Sequence, residues 1–213
     1  LMLLAFGAVA VSADARKVKG SVVSGDEKLS GVIVTDGTNF TKTKKNGKFA
    51  FEINDDADFV YIVTPAGYAG DWSEGVPAFF RKAEGCKKFV FDLVKTQTDG
   101  KDYHIIAAGD PQPHTEAHFN MFAGEPLDDL SKTTNAIGLS GVGIALGDVS
   151  WDNPALLDNW KREIVRTGIP FYTAIGNHDH VGRQGGDYQS SAEYRKSMRE
   201  TVGGLNLSYM FRN

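Results

Sequence analysis

Phe171-Tyr172-Thr173-Ala174-Ile175-Gly176-Asn177-His178-Asp179 decides how this chain of 213 residues is read. An apolar, partly β-branched run stops at Gly-Asn-His-Asp, as a buried strand does when it ends in a polar loop. Two earlier stretches repeat the pattern. Ile105-Ile106-Ala107-Ala108 leads into Gly109-Asp110-Pro111-Gln112, and Val142-Gly143-Ile144-Ala145-Leu146 leads into Gly147-Asp148. Each is expected to be a buried strand. Helical patterns lie between them: one near residues 126 to 139, and one that Asn153 caps, Pro154 begins and Gly168 stops. A further helix over Ser190 to Val202 and a strand from Leu205 to Phe211 are expected beyond. Strands alternating with helical crossovers make a largely parallel α/β sheet, whose strand carboxyl ends line one crevice. Asp110, Gln112, Asp148, Asn177, His178 and Asp179 are thereby expected at one spot.

These residue types suit hard or borderline divalent cations. Two ions about 3.5–4 Å apart can clamp a phosphate and the attacking oxygen. Asp148, with two oxygens and a full charge, is the expected bridge. Asp110 and the amide oxygen of Gln112 are expected on one ion, and the amide oxygen of Asn177 on the other. His178 is the expected catalytic acid for the leaving alkoxide. Asp179 is the expected partner that orients its imidazole. His114 is read as a residue that can touch substrate and His180 as a pocket or surface residue; His104 and His118 are read as structural. Asp152 is expected to help cap the helix that follows it. The run Gly182 to Gly186 is expected to be a loop near the site mouth.

Asp110-x-Gln112, Gly147-Asp148 and Gly176-Asn177-His178-Asp179 resemble the first three blocks of the calcineurin-like metallophosphoesterases. Gln112 stands where that family usually has His. The resemblance covers residues 103 to about 211 and implies a dinuclear centre of Mn, Fe or Zn. It also implies hydrolysis of a phosphate mono- or diester by a metal-bound hydroxide, with a small phosphorylated molecule as substrate. The family's later His-bearing blocks have no counterpart here, since no histidine follows His180. The chain is therefore read as C-terminally truncated. By itself it is expected to bind metal weakly and to hydrolyse poorly.

Residues 16–98 read as an all-β sandwich, with short alternating runs at Val18 to Val23, Gly31 to Thr35, Lys48 to Ile53, Phe59 to Val63 and Lys88 to Val94. Asp36-Gly37 and Asn46-Gly47 are turn signals between them. The stretch from Gly31 to Phe49 resembles small sandwich modules of the carboxypeptidase regulatory type. With it the whole resembles a secreted branch of the phosphoesterases that carries an N-terminal β domain. Tyr68, Trp72, Phe79 and Phe80 offer either a sugar-stacking surface or packing between the two parts, and packing is the favoured reading. Lys42, Lys44, Lys45 and Lys48 offer either a contact for an anionic polymer or a solvated hairpin edge, and the edge is the favoured reading. The expected organisation is thus a signal-peptide remnant over 1–15, the sandwich over 16–98, and the incomplete α/β phosphoesterase domain over 99–213.

Leu1 to Val11 is apolar and Ala13-x-Ala15 fits a signal-peptidase site before Arg16. Export to the periplasm or outside, with no stable membrane insertion afterwards, is expected. The net charge of −4 and the absence of a basic stripe around the three blocks argue against nucleic acid as a partner. A single cysteine, Cys86, excludes an internal disulfide. The competing reading is a non-catalytic secreted module that binds glycan or protein beside a degenerate phosphoesterase domain.

Overall fold

The computed structural model describes residues 15–100, 102–179, 181–184, 187–190 and 199–203. The expected signal segment (residues 1–14), His180, most of the expected helix over 190–202 and the expected strand over 205–211 lie outside the described residues.

Nine strands build the first part: β1 (Ala15–Ser24), β2 (Glu27–Lys28), β3 (Ile33–Thr35), β4 (Phe40–Lys42), β5 (Lys48–Asn54), β6 (Phe59–Ile62), β7 (Tyr68–Gly70), β8 (Phe80–Lys82) and β9 (Lys88–Lys95). One sheet runs β2-β1-β9-β7, with β5 also paired to β1, and the other runs β4-β3-β6-β8. Alternation decides the faces. Phe49 and Ile53 of β5 and Phe89, Phe91 and Leu93 of β9 point inward, while Lys48, Ala50, Lys88 and Val90 face out. The inward residues share one core with Val34, Val60 and Ile62 of the second sheet. Asp36 pins the β3–β4 turn: its carboxylate accepts the backbone N–H of Thr38, Asn39 and Asn54. The short strands β2, β4, β7 and β8 have no counterpart in the sequence reading, whereas the equally short β3 lies within the β-branched run Gly31 to Thr35.

In the second part, β10 (His104–Ala108), β11 (Gly141–Ala145) and β12 (Phe171–Thr173) form a parallel sheet in that order. Between β10 and β11 lie α1 (Glu116–Gly124), capped by Thr115, and α2 (Pro126–Ile137), which opens on its proline. Between β11 and β12, a 3-10 turn (Pro154–Leu156), capped by the Asn153 side chain, runs into α3 (Leu157–Ile164). Gly168 ends that segment in the left-handed conformation, φ 67°. Of helix α1 the sequence marked only a start, at His118, because its apolar face is little more than Phe119 and Phe122.

Two expectations change. Strand β10 is not buried: it forms one edge of the described sheet and Ile105 is 50% exposed. Within the Gly182 to Gly186 run, residues 182–184 are strand rather than loop, because β13 (Val181–Gln184) pairs antiparallel with β14 (Asp187–Ser190); Gly185 and Gly186 lie outside the described residues. Ser190 thus closes a strand rather than opening a helix; residues 199–202 are helical.

The β-rich part packs on the α/β part through the segment between β7 and β8. Phe79 is buried and its ring lies 5.5 Å from that of Tyr172. Gly75, at φ 88°, sits so close to the Lys161 carbonyl that a Cβ there would clash with it. Phe79 and Phe80 are therefore packing residues, Phe80 edge-on to both Phe59 and Phe79.

Candidate active site

Three loops follow the three parallel strands, and the register puts their starts side by side: Ala108 pairs with Ala145, and Ala145 with Thr173. Asp148 lies at their centre with 4% exposure. Its Oδ1 accepts the backbone N–H of His178 at 2.9 Å, and its Oδ2 accepts Nε2 of Gln112 at 2.8 Å. The Gln112 backbone N–H also donates to the Asp148 carbonyl at 3.0 Å. One carboxylate therefore joins all three loops.

The glycines of the blocks have a steric reason. A Cβ on Gly176 would lie 2.1 Å from Asp148 Oδ1, and one on Gly147, at φ 110°, would lie 2.6 Å from the Gly176 backbone. Only glycine at both positions lets the second and third loops approach this closely.

Among the described residues, three non-glycine residues have positive φ: Gln112 at 43°, Asp148 at 50° and Asp152 at 50°. All three belong to this site. Left-handed backbone at such residues costs of order 1–2 kcal/mol each and persists where surrounding contacts hold it.

Asp152 is the residue that sequence reasoning misplaced. Asn153 caps the following helical turn by accepting the N–H of Ala155, whereas Asp152 Oδ1 lies 3.1 Å from His178 Nδ1. Asp152 Oδ2 is buried without a hydrogen-bond partner among the described residues. Asp179, expected to orient the imidazole, is instead fully buried beneath its own loop and accepts the N–H of Gly176 at 3.0 Å. Burial drives its pKa up, and the charge of Asp148 adds to that. The N–H groups of Gly176, Asp148 and Ser150 oppose the shift but do not cancel it.

An aromatic stack braces the imidazole. The Trp151 ring lies 3.8 Å from His178 and 4.5 Å from His114, each at 22° between planes. His114 in turn meets His118 edge-on at 5.9 Å. His118 also donates its backbone N–H to the Thr115 cap, so its place at a helix start holds. No feature of one-dimensional spacing announces this stack, because its members come from three loops.

Asp110 and Asn177 are exposed on the flanking loops and make no hydrogen bond to Asp148. Gln112 lies beside Asp148, and its amide acts as a donor here rather than as the expected oxygen ligand, because a carboxylate can only accept. Among the described residues, no group of three or more His, Cys, Asp or Glu side chains is arranged to hold a metal.

Does the donor set nevertheless fit a divalent cation? Asp148, Asp152 and Asp179 gather beneath these loops, and among the described residues no Lys or Arg pairs with any of them. Buried carboxylates are ordinarily paired or bound to metal. Asp148 and Asp110, with the amide oxygens of Gln112 and Asn177, are donors of the hard type that such ions take, although the Gln112 amide presents its N–H to Asp148 here.

Comparison with known families adds the decisive observation at the other end of the chain. Residues 16–100 match the family model described as the N terminal of calcineurin-like phosphoesterase. Over those residues the chain is similar to the N-terminal domain of the calcineurin-like phosphoesterases. Members of this family are generally hydrolases that use divalent metals. No curated protein and no solved structure matches the chain. The three loops lie after the matched stretch, so any role for them rests on their own chemistry. Among the described residues no helix is long and apolar enough to cross a membrane.

Proposed function

We propose that the three loops form the phosphoester-hydrolysing centre of a calcineurin-like phosphoesterase, acting on a small phosphate mono- or diester. The observation that carries the reading is the buried Asp148 carboxylate, linked to both flanking loops and paired with no Lys or Arg among the described residues. Asp110, Gln112, Asp148 and Asn177 would hold two divalent ions. Such ions, when bound, supply Lewis-acid activation of water and of the phosphoryl oxygens.

The remaining work falls to the chain's own groups. Asp152 accepts from His178 at Nδ1, so Nδ1 carries the hydrogen and Nε2 is the ring atom that exchanges a proton with a leaving-group oxygen. Stacking on Trp151 holds the ring plane fixed while it does so. The His178 backbone N–H and the Gln112 amide hold the Asp148 carboxylate in one orientation before any ligand arrives.

The test is a titration of Mn²⁺ into the protein, read by electron paramagnetic resonance, beside hydrolysis of aryl phosphate mono- and diesters. Asp148→Asn is run in parallel, with circular dichroism to confirm folding. The expected result is Mn²⁺ binding that the variant loses, together with any Mn²⁺-dependent turnover. Equal Mn²⁺ binding by the two proteins, or undiminished turnover in the variant, overturns the proposal.

A further inference from the structure

The outer face of the β2-β1-β9-β7 sheet carries a groove of about 580 Å³ lined by lysines from three separate segments. Lys19 lies on β1, Lys88 on β9, Lys48 on β5 and Lys44 just before β5. Ser21 and Ala50 line it between them, and no Asp or Glu does. All four lysines are exposed, and none forms an ion pair among the described residues.

This arrangement runs against the ordinary chemistry of a sheet. Lys19 and Lys88 are direct partners across neighbouring strands, and like charges placed so repel. Two other lysines of the same sheet are paired: Lys17 lies 3.8 Å from Glu52, and Lys95 lies 2.9 Å from Glu27. The chain as a whole is negative, at −4, yet four uncompensated positive charges gather here. Edge protection by lysines accounts for residues on a free strand edge. It does not account for Lys19, since β1 pairs there with β9 on one side and β5 on the other, whereas Lys88 lies where β9 pairs with β1 alone.

We propose that this groove binds an acidic polysaccharide, whose carboxylate or sulfate groups meet the four lysines. The volume falls in the range of small-ligand sites and suits a short stretch of sugar units. The small side chains of Ser21 and Ala50 let a bulky chain approach the sheet. Phe49, the aromatic residue lining the groove, is 3% exposed and belongs to the core beneath, which disfavours a nucleic acid that needs stacking platforms. The absence of a large apolar side chain among the exposed lining residues disfavours insertion into a membrane surface. The site lies on a different face of chemistry from the three loops and stands whether or not they hydrolyse phosphoesters.

The experiment is calorimetric titration of the whole chain with heparin oligosaccharide and with oligogalacturonate, at low and at physiological salt. Neutral dextran, duplex DNA and phosphatidylglycerol vesicles serve as the other arms. The expected result is binding to at least one acidic glycan that weakens with salt. It weakens at least tenfold in the Lys19→Glu/Lys88→Glu double variant and is unchanged in Lys132→Gln, a lysine of α2. Thermal melting confirms that each variant is folded. Absence of glycan binding, equal binding of dextran, an unaffected double variant, or tighter binding of DNA or vesicles than of the glycans would each overturn the proposal.

Discussion

Asp152 Oδ1 stands 3.1 Å from Nδ1 of His178, on a residue whose own backbone is held at φ 50°. The two side chains come from different loops, 26 residues apart. That left-handed backbone turns a residue next to a helix start back toward the site, instead of leaving it to cap the helix.

Replacing Asp152 tests what this contact does. In Asp152→Asn the acceptor is weakened and the preferred tautomer of His178 is lost, so turnover is expected to drop by about 10²-fold or more. Mn²⁺ binding should persist, because Asp152 is not among the proposed ligands. Ring ¹⁵N shifts of His178 report the tautomer directly. Unchanged shifts together with full turnover would remove Asp152 from the site.

Gly176→Ala should damage the centre without touching any polar side chain. Its Cβ would sit 2.1 Å from Asp148 Oδ1 and 2.4 Å from Asp148 N. Overpacking of this kind costs about 1–3 kcal/mol. Urea unfolding should register that loss, and Mn²⁺ binding should weaken with it. A variant as stable as the parent, with Mn²⁺ affinity intact, contradicts the close approach described.

Phe79→Ala probes the packing of the two parts. Phe79 is 2% exposed and meets Tyr172 at 5.5 Å. Removing a buried Phe side chain costs about 3–5 kcal/mol. Tyr172 fluorescence should respond in step with the loss of stability. An urea midpoint equal to the parent's would mean the contact contributes nothing.

Asp36 predicts a pH dependence. Burial pushes its pKa up, but hydrogen bonds from Asn39, Asn54 and Thr38 outweigh burial, so the native value lies below the ordinary 3.8. A depressed native pKa stabilises the fold above about 3.8, and that stabilisation is lost as pH falls through the lower native value. Asp36→Asn should therefore flatten the decline of the melting temperature on acidification through this window. An identical decline in both proteins would falsify the assignment.

Much of this was legible in one dimension, and the reasons are local. Strands β5 and β9 read correctly because alternation of apolar and polar residues over seven or eight positions admits one face inward. Gly37 and Gly47 read as turns because their φ values of 101° and 71° suit glycine. The three loop sequences could be placed together because parallel strands joined by helices bring their carboxyl ends to one edge. The exposure of β10 could not be read, since an apolar edge strand and an apolar central strand have the same sequence.

The sequence by itself determined which residue types meet at the strand ends, and that they are oxygen donors with an imidazole beside them. Only the tertiary structure decided their roles. It assigned the imidazole to Asp152 rather than Asp179, turned the Gln112 amide to donate to Asp148, and stacked Trp151 between two histidines. Periodicity fixes where a strand ends and which way its side chains alternate. A hydrogen bond between loops depends on loop backbone angles and on glycine contacts across the chain, which no pattern along a single segment encodes.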